Sequence, residues 1–164
     1  MTTTHHPTAV YTVLPSPVGP LLLSGDDGAL TGLRFAGSAA AARPGRRRDD
    51  DRFADEARQL AEYFAGARTG FDIPLRPRGA AFDQRVWDAL REIPHGTTVT
   101  YGELAASIGS PGQARAVGAA NARNPISIVV PCHRVLGADG KLVGYGGGLD
   151  RKRALLALEG AILV

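Results

Sequence analysis

Cysteine is the scarcest reactive residue in this chain, since the 164-residue sequence contains only Cys132. A single cysteine cannot form an internal disulfide, which fits a reducing compartment, and it cannot supply the paired thiolates of a structural zinc site. The four histidines, at positions 5, 6, 95 and 133, show no metal-ligand spacing. The sequence therefore predicts neither a bound metal nor a cofactor.

Long apolar runs are also missing. No segment approaches the roughly 20 residues that a membrane-spanning helix needs, and Met1–Pro7 lacks the basic and apolar parts of a secretory signal. Hydrophobic residues make up 44% of the chain and charged residues 21%, which is typical of soluble globular domains. We expect a protein without a membrane anchor.

Lysine is rare as well, because Lys141 and Lys152 are the only two and arginine supplies the other basic groups. The net charge is +3, but its distribution is uneven. The segment from Gln113 to Arg153 contains seven basic residues and two acidic residues, a local excess of +5. This excess favours a polyanionic partner; an ordinary solvated face is the alternative.

The N-terminal half predicts an antiparallel meander followed by a helix. Turn residues separate three apolar segments that have strand character: Val10–Leu14, Pro20–Ser24 and Ala29–Phe35. The helix is expected over Phe53–Ala65 and a further short strand over Phe71–Leu75, while Arg46–Asp51 is a self-neutralising loop. The breaker cluster Arg76–Gly79 suggests two domains, residues 1–78 and 79–164.

The C-terminal half predicts helices over Ala81–Ile93, Tyr101–Ile108 and Gly112–Ala122. Ser110–Gln113 resembles a capping box with proline at the first helical position. Because the second and third helices are so close in sequence, they indicate a helix-turn-helix. Seven of the eleven residues in the third helix are Ala or Gly, and its prominent cation is Arg115. Such a slim helix suits a minor groove; tight packing against another helix is the alternative.

Cys132 follows the apolar run Ile126–Val130, which predicts a short buried strand, and it precedes His133 and Arg134. A base and a fixed positive charge are the groups that activate a thiol. Adjacent residues of a strand point to opposite faces, however, so His133 would not reach the sulfur directly. Either the chain turns at Pro131 or a water links the two side chains.

The segment from Thr100 to Gly160 resembles the catalytic half of the O6-alkylguanine-DNA alkyltransferases. The shared motifs are Pro131–Val135, Ala114–Gly118, Arg123–Pro125, Gly147–Leu149 and Leu158–Gly160. The resemblance implies an α/β (α+β) fold, with an antiparallel sheet and helix in a ribonuclease-H-like N-terminal domain. The C-terminal domain would be helical and winged-helix-like, and would contain the helix-turn-helix.

The resemblance also implies site residues. Cys132 would accept the alkyl group and keep it, His133 would act as the base through a water, and Glu159 would orient His133. Asn124 would be a hinge, Tyr101 would press on a phosphate, and Arg115 would fill the gap left by the flipped base. The other substrate or DNA contacts implied are Val135 and Tyr145 in the pocket wall, and Ala114, Ala116, Gly118, Asn121, Arg123, Gly146 and Lys152.

One departure from the mammalian members concerns the pocket. Those members carry a serine where this chain has Gly146, so a looser pocket that admits longer alkyl groups is a hypothesis. They also carry a structural zinc, which the cysteine-poor N-terminal half here cannot hold.

The implied function is single-turnover DNA repair, in which the alkyl group of O6-alkylguanine in duplex DNA moves irreversibly to Cys132. O4-alkylthymine is an open second substrate. We expect a cytoplasmic, nucleoid-associated monomer, and cooperative binding along DNA stays open. Two rival functions remain: a helix-turn-helix DNA-binding regulator with an inert cysteine, and a thiol hydrolase with a Cys-His-Glu triad.

Overall fold

The computed structural model, which describes residues 9–36 and 46–162, has a mixed α/β fold, as predicted. Contacts between Cα atoms separate the chain after Pro77 into two units. None of the helices in the described ranges combines the length and the apolar character that crossing a bilayer requires. His5 and His6 lie outside the described residues.

The first unit contains the predicted meander. Its strands are β1 (Val10–Leu14), β2 (Leu21–Gly25) and β3 (Leu30–Phe35), and β2 pairs antiparallel with both neighbours. The helix α1 (Ala54–Phe64) follows a 3-10 turn over Asp51–Phe53. The core of this unit consists of fully or almost fully buried side chains from these elements: Leu21, Leu23, Leu30, Leu33, Phe53, Leu60 and Tyr63.

Two predictions for this unit are wrong. Arg47–Arg48, placed in a loop, forms β4 and pairs parallel with β1. Asp50 holds this segment to the sheet, because its Oδ1 accepts hydrogen bonds from Thr12 at 2.7 Å and from Arg48 at 2.9 Å. The strand predicted over Phe71–Leu75 is reduced to a single bridge between Leu75 and Leu30.

The second unit consists of helices around a small parallel strand pair. α2 (Ala81–Arg91), α3 (Tyr101–Ser107) and α4 (Ala114–Ala122) are followed by α5 (Leu149–Leu158), and β5 (Val99–Thr100) pairs with β6 (Val135–Leu136). α3 and α4 are joined by residues 108–113, in agreement with the predicted helix-turn-helix. Trp87 links α2 to α4, since its indole donates to the carbonyl of Ala120 at 2.9 Å.

The capping box occurs at a different helix from the one predicted. Ser110–Gln113 does not cap α4, which begins at Ala114, because Gly112 has a φ of 85° and its backbone cannot join a right-handed helix. The real capping box lies at α3. There Thr100 Oγ1 accepts from the backbone of Glu103, and the carboxylate of Glu103 accepts from the backbone of Thr100, both at 3.1 Å.

The buried strand predicted over Ile126–Val130 is also absent. Ile126 makes an isolated bridge and the rest of the segment is a series of turns. Ile128 has a φ of 71°, which is rare for a β-branched residue and interrupts any extended run. Ile126, Ile128 and Val130 are nevertheless almost fully buried. The apolar pattern therefore predicts the burial of these three residues correctly and the backbone conformation of the segment wrongly.

Candidate active site and nucleic-acid interface

Cys132 opens a 3-10 turn that runs to Arg134. Pro131 directs the chain into this turn, and the Cys132 amide donates to the carbonyl of Val130 at 2.8 Å. The side chains of Cys132 and His133 therefore do not follow the alternation of a strand. The turn at Pro131, which the sequence left open, is present in the structure. Cys132 is 5% exposed.

His133 and Glu159 form a buried pair beneath this turn. His133 Nε2 lies 2.8 Å from Glu159 Oε2, and neither side chain is exposed. Because a carboxylate only accepts hydrogen bonds, the imidazole carries its proton on Nε2, and Nδ1 is left with a lone pair. Nδ1 is buried and has no hydrogen-bond partner among the described residues. This nitrogen is chemically available as a base.

Arg134 completes the cluster. Its Nε donates to Glu159 Oε1 at 2.8 Å, and one terminal nitrogen donates to Glu159 Oε2 at 3.0 Å. The other terminal nitrogen donates to the carbonyl of Ile93 at 2.7 Å. This bidentate contact fixes the orientation of Glu159. In the sequence Arg134 appears only as a charge near the thiol, and nothing local indicates this contact.

Burial controls the protonation of both reactive side chains. It raises the pKa of the Cys132 thiol, and a hydrogen bond with Asn124 and the positive charge of Lys152 oppose that rise. Burial also lowers the pKa of His133, with the Glu159 hydrogen bond acting in the opposite direction. The resting site therefore contains a neutral thiol and a neutral imidazole. Such a thiol needs a base at the moment of reaction.

The side chain of Asn124 stabilises the segment that leads to Cys132 through two hydrogen bonds. Its Nδ2 donates to the carbonyl of Val130 at 2.9 Å, and its Oδ1 accepts from the amide of Ile126 at 3.0 Å. The side chain thus spans the turns that replace the predicted strand. This geometry suits a residue that fixes how the end of α4 leads into the nucleophile.

Lys152, one of the implied substrate or DNA contacts, lies inside the protein. The side chain is fully buried, and Nζ donates to the carbonyls of Val135 at 2.6 Å, Val143 at 2.8 Å and Gly144 at 3.4 Å. Burial lowers the pKa of Lys152 to about 8. An ammonium group enclosed by carbonyls cannot reach a phosphate, so in this structure Lys152 ties β6 to the loop before α5.

The exposed face of α4 is narrow and carries one long cation. Arg115 and Ala116 are exposed, Ala114 and Gly118 are partly buried, and Val117 and Ala120 face the core. The small side chains leave the helix backbone close to the protein surface, with Arg115 extending beyond it. This surface fits approach to a narrow groove. The tight contact of Ala120 with Trp87 shows that the inner face also uses its small residues for packing.

Two more of the implied substrate or DNA contacts, Asn121 and Arg123, have hydrogen-bond partners within the protein. Asn121 is buried and donates to the carbonyl of Cys132 at 3.4 Å, so it belongs to the site of the nucleophile. Arg123 binds the carboxylate of Asp83 on α2 through two hydrogen bonds of 2.9 and 2.7 Å. Asp83 is largely buried, and its hydrogen bond from Arg123 lowers its pKa. The guanidinium thus connects the end of α4 to α2, although 55% of the Arg123 side chain is exposed.

The residues predicted to wall a pocket, and Tyr101, differ in how far they are buried. Val135 is fully buried in β6. Tyr101 is half-buried, and its hydroxyl lies beside Gly144, where a Cβ would be 3.8 Å away. Tyr145 is half-buried and Gly146 is exposed. A Cβ at Gly146 would meet no atom within 4 Å, so the glycine leaves open space at this position.

Comparison with known proteins accounts for both units. Residues 81–161 match the model of the 6-O-methylguanine DNA methyltransferase DNA binding domain, and residues 9–77 match that family's ribonuclease-like domain. The chain belongs to this methyltransferase family. The predicted family and fold class, with its ribonuclease-like and helical DNA-binding parts, are thereby confirmed.

Individual relatives agree over most of their length. The methylated-DNA–protein-cysteine methyltransferase of Mycolicibacterium paratuberculosis is 56% identical over 150 residues, which is 91% of each chain. The protein of the same name from Methanosarcina acetivorans is 52% identical and covers 92% of this chain and 98% of its own. A crystal structure of Mycobacterium tuberculosis OGT in complex with DNA superimposes with a TM-score of 0.86 at 54% identity, covering 92% of both chains.

Proposed function

We propose that this chain repairs duplex DNA by moving the alkyl group of O6-alkylguanine onto Cys132. The observation that carries the proposal is the buried Glu159–His133 pair, whose histidine follows Cys132 in the same 3-10 turn and whose imidazole Nδ1 has no partner among the described residues. The names of the relatives, methylated-DNA–protein-cysteine methyltransferase, agree with this chemistry. A site of this composition requires neither a metal nor a cofactor.

The reaction is a displacement at the carbon of the alkyl group. Nδ1 of His133 removes the thiol proton through an intervening water, and Glu159 stabilises the imidazolium that forms. The sulfur of Cys132 then bonds to the methyl carbon as the bond from that carbon to O6 breaks. The guanine leaves with the electron pair and takes up a proton at N1. Overall, Cys132 exchanges its thiol proton for the methyl group, and the guanine exchanges the methyl group for a proton.

The product limits the protein to one reaction. A thioether is not hydrolysed under physiological conditions, and the described site contains no second nucleophile that could remove the alkyl group. Each chain would therefore repair one lesion. This outcome separates the proposal from a thiol hydrolase, whose thioester intermediate would be released by water.

Recognition of DNA would involve the exposed face of α4. Arg115 would enter the base stack and occupy the place of the extruded nucleotide, while Ala114, Ala116 and Gly118 allow close approach. The flipped base would then lie between β6, through Val135, and the loop containing Tyr145 and Gly146. Because its target would be chromosomal DNA, a cytoplasmic, nucleoid-associated location belongs to the same proposal.

The test uses a duplex that contains one O6-methylguanine. After incubation, the peptide containing Cys132 is weighed and the lesion in the DNA is measured. We expect one added methyl group and the loss of one lesion per chain, even with DNA in excess. The Cys132→Ala variant should bind the duplex and leave the lesion intact. An unmodified Cys132 peptide with intact lesion would support a DNA-binding regulator instead, and repeated turnover would support a hydrolase.

A further inference from the structure

Arg134 carries a permanent positive charge next to the base of the candidate active site. Its side chain is 7% exposed, and the side chains of His133 and Glu159 are not exposed at all. An arginine stays protonated in proteins, and a buried guanidinium is costly unless an anion balances it. The anion here is the carboxylate that also binds His133. The arginine therefore acts on the imidazole as well as on the fold.

Glu159 binds both side chains through a shared oxygen. Its Oε2 accepts from His133 Nε2 at 2.8 Å and from a terminal nitrogen of Arg134 at 3.0 Å, while Oε1 accepts from Arg134 Nε at 2.8 Å. The other terminal nitrogen of Arg134 donates to the carbonyl of Ile93 at 2.7 Å, which fixes the guanidinium against the carboxylate. The arginine thus offsets negative charge that would otherwise stabilise a proton on His133.

The charges of this cluster balance only when His133 is neutral. The guanidinium and the carboxylate sum to zero, and a further proton on the imidazole would leave a net positive charge among buried groups, which is costly. With an uncharged residue at position 134, the same proton would instead complete a neutral ion pair with Glu159. The charge of Arg134 therefore opposes the protonation of His133.

The electrostatic surroundings of His133 agree with this balance. Burial is the main cause that lowers the pKa of His133, and Glu159 opposes it. The charges of Arg134 and Lys152 lower this pKa further. The ammonium of Lys152 binds backbone carbonyls, whereas the guanidinium binds the carboxylate that holds the imidazole. Cys132, in the same turn, is a neutral thiol because burial raises its pKa.

The helices α2 and α5 both pack against the turn that contains His133. The charged side chains of α2 are bound to Arg123 or exposed: Asp83, Arg85, Asp88 and Arg91. On α5, Asp150 and Arg153 are exposed and Arg151 donates to the carbonyl of Gly147 at 3.1 Å. Arg134 is thus the cation best placed to act on the base through Glu159.

We propose that Arg134 is a positioning residue that keeps His133 neutral, and therefore able to act as the base, by balancing the charge of Glu159. The inference rests on the proposed alkyl transfer and adds a residue to it. Arg134 neither gives nor takes a proton, and the sulfur–carbon bond formed and the carbon–oxygen bond broken are those of the proposed reaction. Its charge determines the pH below which His133 holds a proton and transfer stops.

Two substitutions at Arg134 separate its charge from its packing. Arg134→Gln removes the charge and retains an N–H donor, whereas Arg134→Lys retains the charge and loses the bidentate contact. The first-order rate of methyl transfer from an O6-methylguanine duplex to Cys132 is measured at saturating protein from pH 5 to pH 9. Each profile is normalised to its own rate at pH 9, and thermal unfolding of each variant is recorded alongside.

We expect the normalised rate of Arg134→Gln at pH 6 to be about tenfold below that of the wild type, since removing a neighbouring charge shifts a pKa by about one unit or more. Arg134→Lys should retain the wild-type profile. Arg91→Gln, at an exposed position near the end of α2, is the control. A uniform loss of rate at every pH in Arg134→Gln, or the same shift in Arg134→Lys, would mean that the arginine only supports the fold and would overturn the proposal.

The protonation of His133 is also measured in the free protein, by nuclear magnetic resonance of the histidine ring nitrogens. His133→Asn assigns the signal. We expect a neutral imidazole at pH 7 in the wild type, and a titration midpoint about one pH unit higher in Arg134→Gln. A protonated His133 in the wild type at pH 7 would overturn the inference, even where neither variant folds. Absence of methyl transfer in a wild type whose His133 is neutral would instead contradict the proposed function.

Discussion

His133 Nε2 and Glu159 Oε2 are separated by 2.8 Å, although 25 residues stand between the two positions in the chain and both side chains are completely buried. α5 brings Glu159 back under the turn that contains Cys132. Arg134, the residue after His133, binds the same carboxylate from the other side. Glu159 thereby fixes two consecutive residues of the 3-10 turn that begins at Cys132. The first two predictions follow from this arrangement.

Glu159→Gln should slow methyl transfer by about 100-fold, because the imidazolium formed during the reaction loses its counter-charge. The change also leaves the buried guanidinium of Arg134 without a charged partner, which should lower the free energy of unfolding by about 3 kcal/mol. Single-turnover kinetics and urea denaturation measure the two effects separately. Glu92→Gln is a matched control at an exposed position and should leave both values unchanged. A Glu159→Gln protein with the wild-type rate would show that the acid only supports the fold.

The stability of the protein should fall as the pH is lowered below about 6.5. Burial lowers the pKa of His133 from its ordinary value of 6.5, so in this range the unfolded chain binds a proton that the folded chain refuses. The urea midpoint of the wild type should therefore decrease between pH 7 and pH 5. His133→Asn should show a flatter dependence. An equal slope in both proteins would mean that His133 does not titrate differently on unfolding.

Lys152→Met should destabilise the protein by about 2–4 kcal/mol, because three carbonyls lose their donor while the methionine fills a similar volume. It should also slow alkyl transfer, since the ammonium ties β6 to the loop of the proposed base pocket and its charge favours the thiolate of Cys132. Lys141→Met, at the only other lysine and in an exposed position, is the control. Weakened DNA binding with unchanged stability would instead indicate that Lys152 contacts phosphate.

Arg115→Ala should impair repair of duplex DNA far more than reaction with a free O6-alkylguanine base. Filling the gap left by the flipped nucleotide matters only when a base stack is present. The transfer rate with duplex DNA should fall at least about tenfold more than the rate with the free base. Without Arg115, the unstacking cost of a few kcal/mol is left uncompensated. Arg153→Ala, an exposed arginine on α5, is the comparison. An equal loss with both substrates would place Arg115 in the chemistry rather than in base flipping.

The sequence by itself is enough to predict the meander, the helices, the family and Cys132 as the candidate nucleophile. Apolar runs and turn signals in β1 to β3, and helical periodicity in α2 and α3, are local patterns that tertiary contacts reinforce. Glu159 was assigned only through the family motif near the end of the chain, because nothing local indicates that a carboxylate so far along the sequence returns to His133.

Only the tertiary structure decided the roles of residues whose neighbours are distant in sequence. Lys152 and Arg123 look like ordinary surface cations in the sequence, yet one is enclosed by three carbonyls and the other is bound to Asp83. Asn121 lies on α4, the helix that was expected to face DNA. Its side chain is on the inner face of α4, next to the residue that contacts Trp87 and close to the carbonyl of Cys132. The run Ile126–Val130 has the composition of a strand, but the hydrogen bonds of Asn124 and the conformation of Ile128 make it a set of turns. Charge, helix face and backbone path depend on long-range partners, which local sequence patterns do not encode.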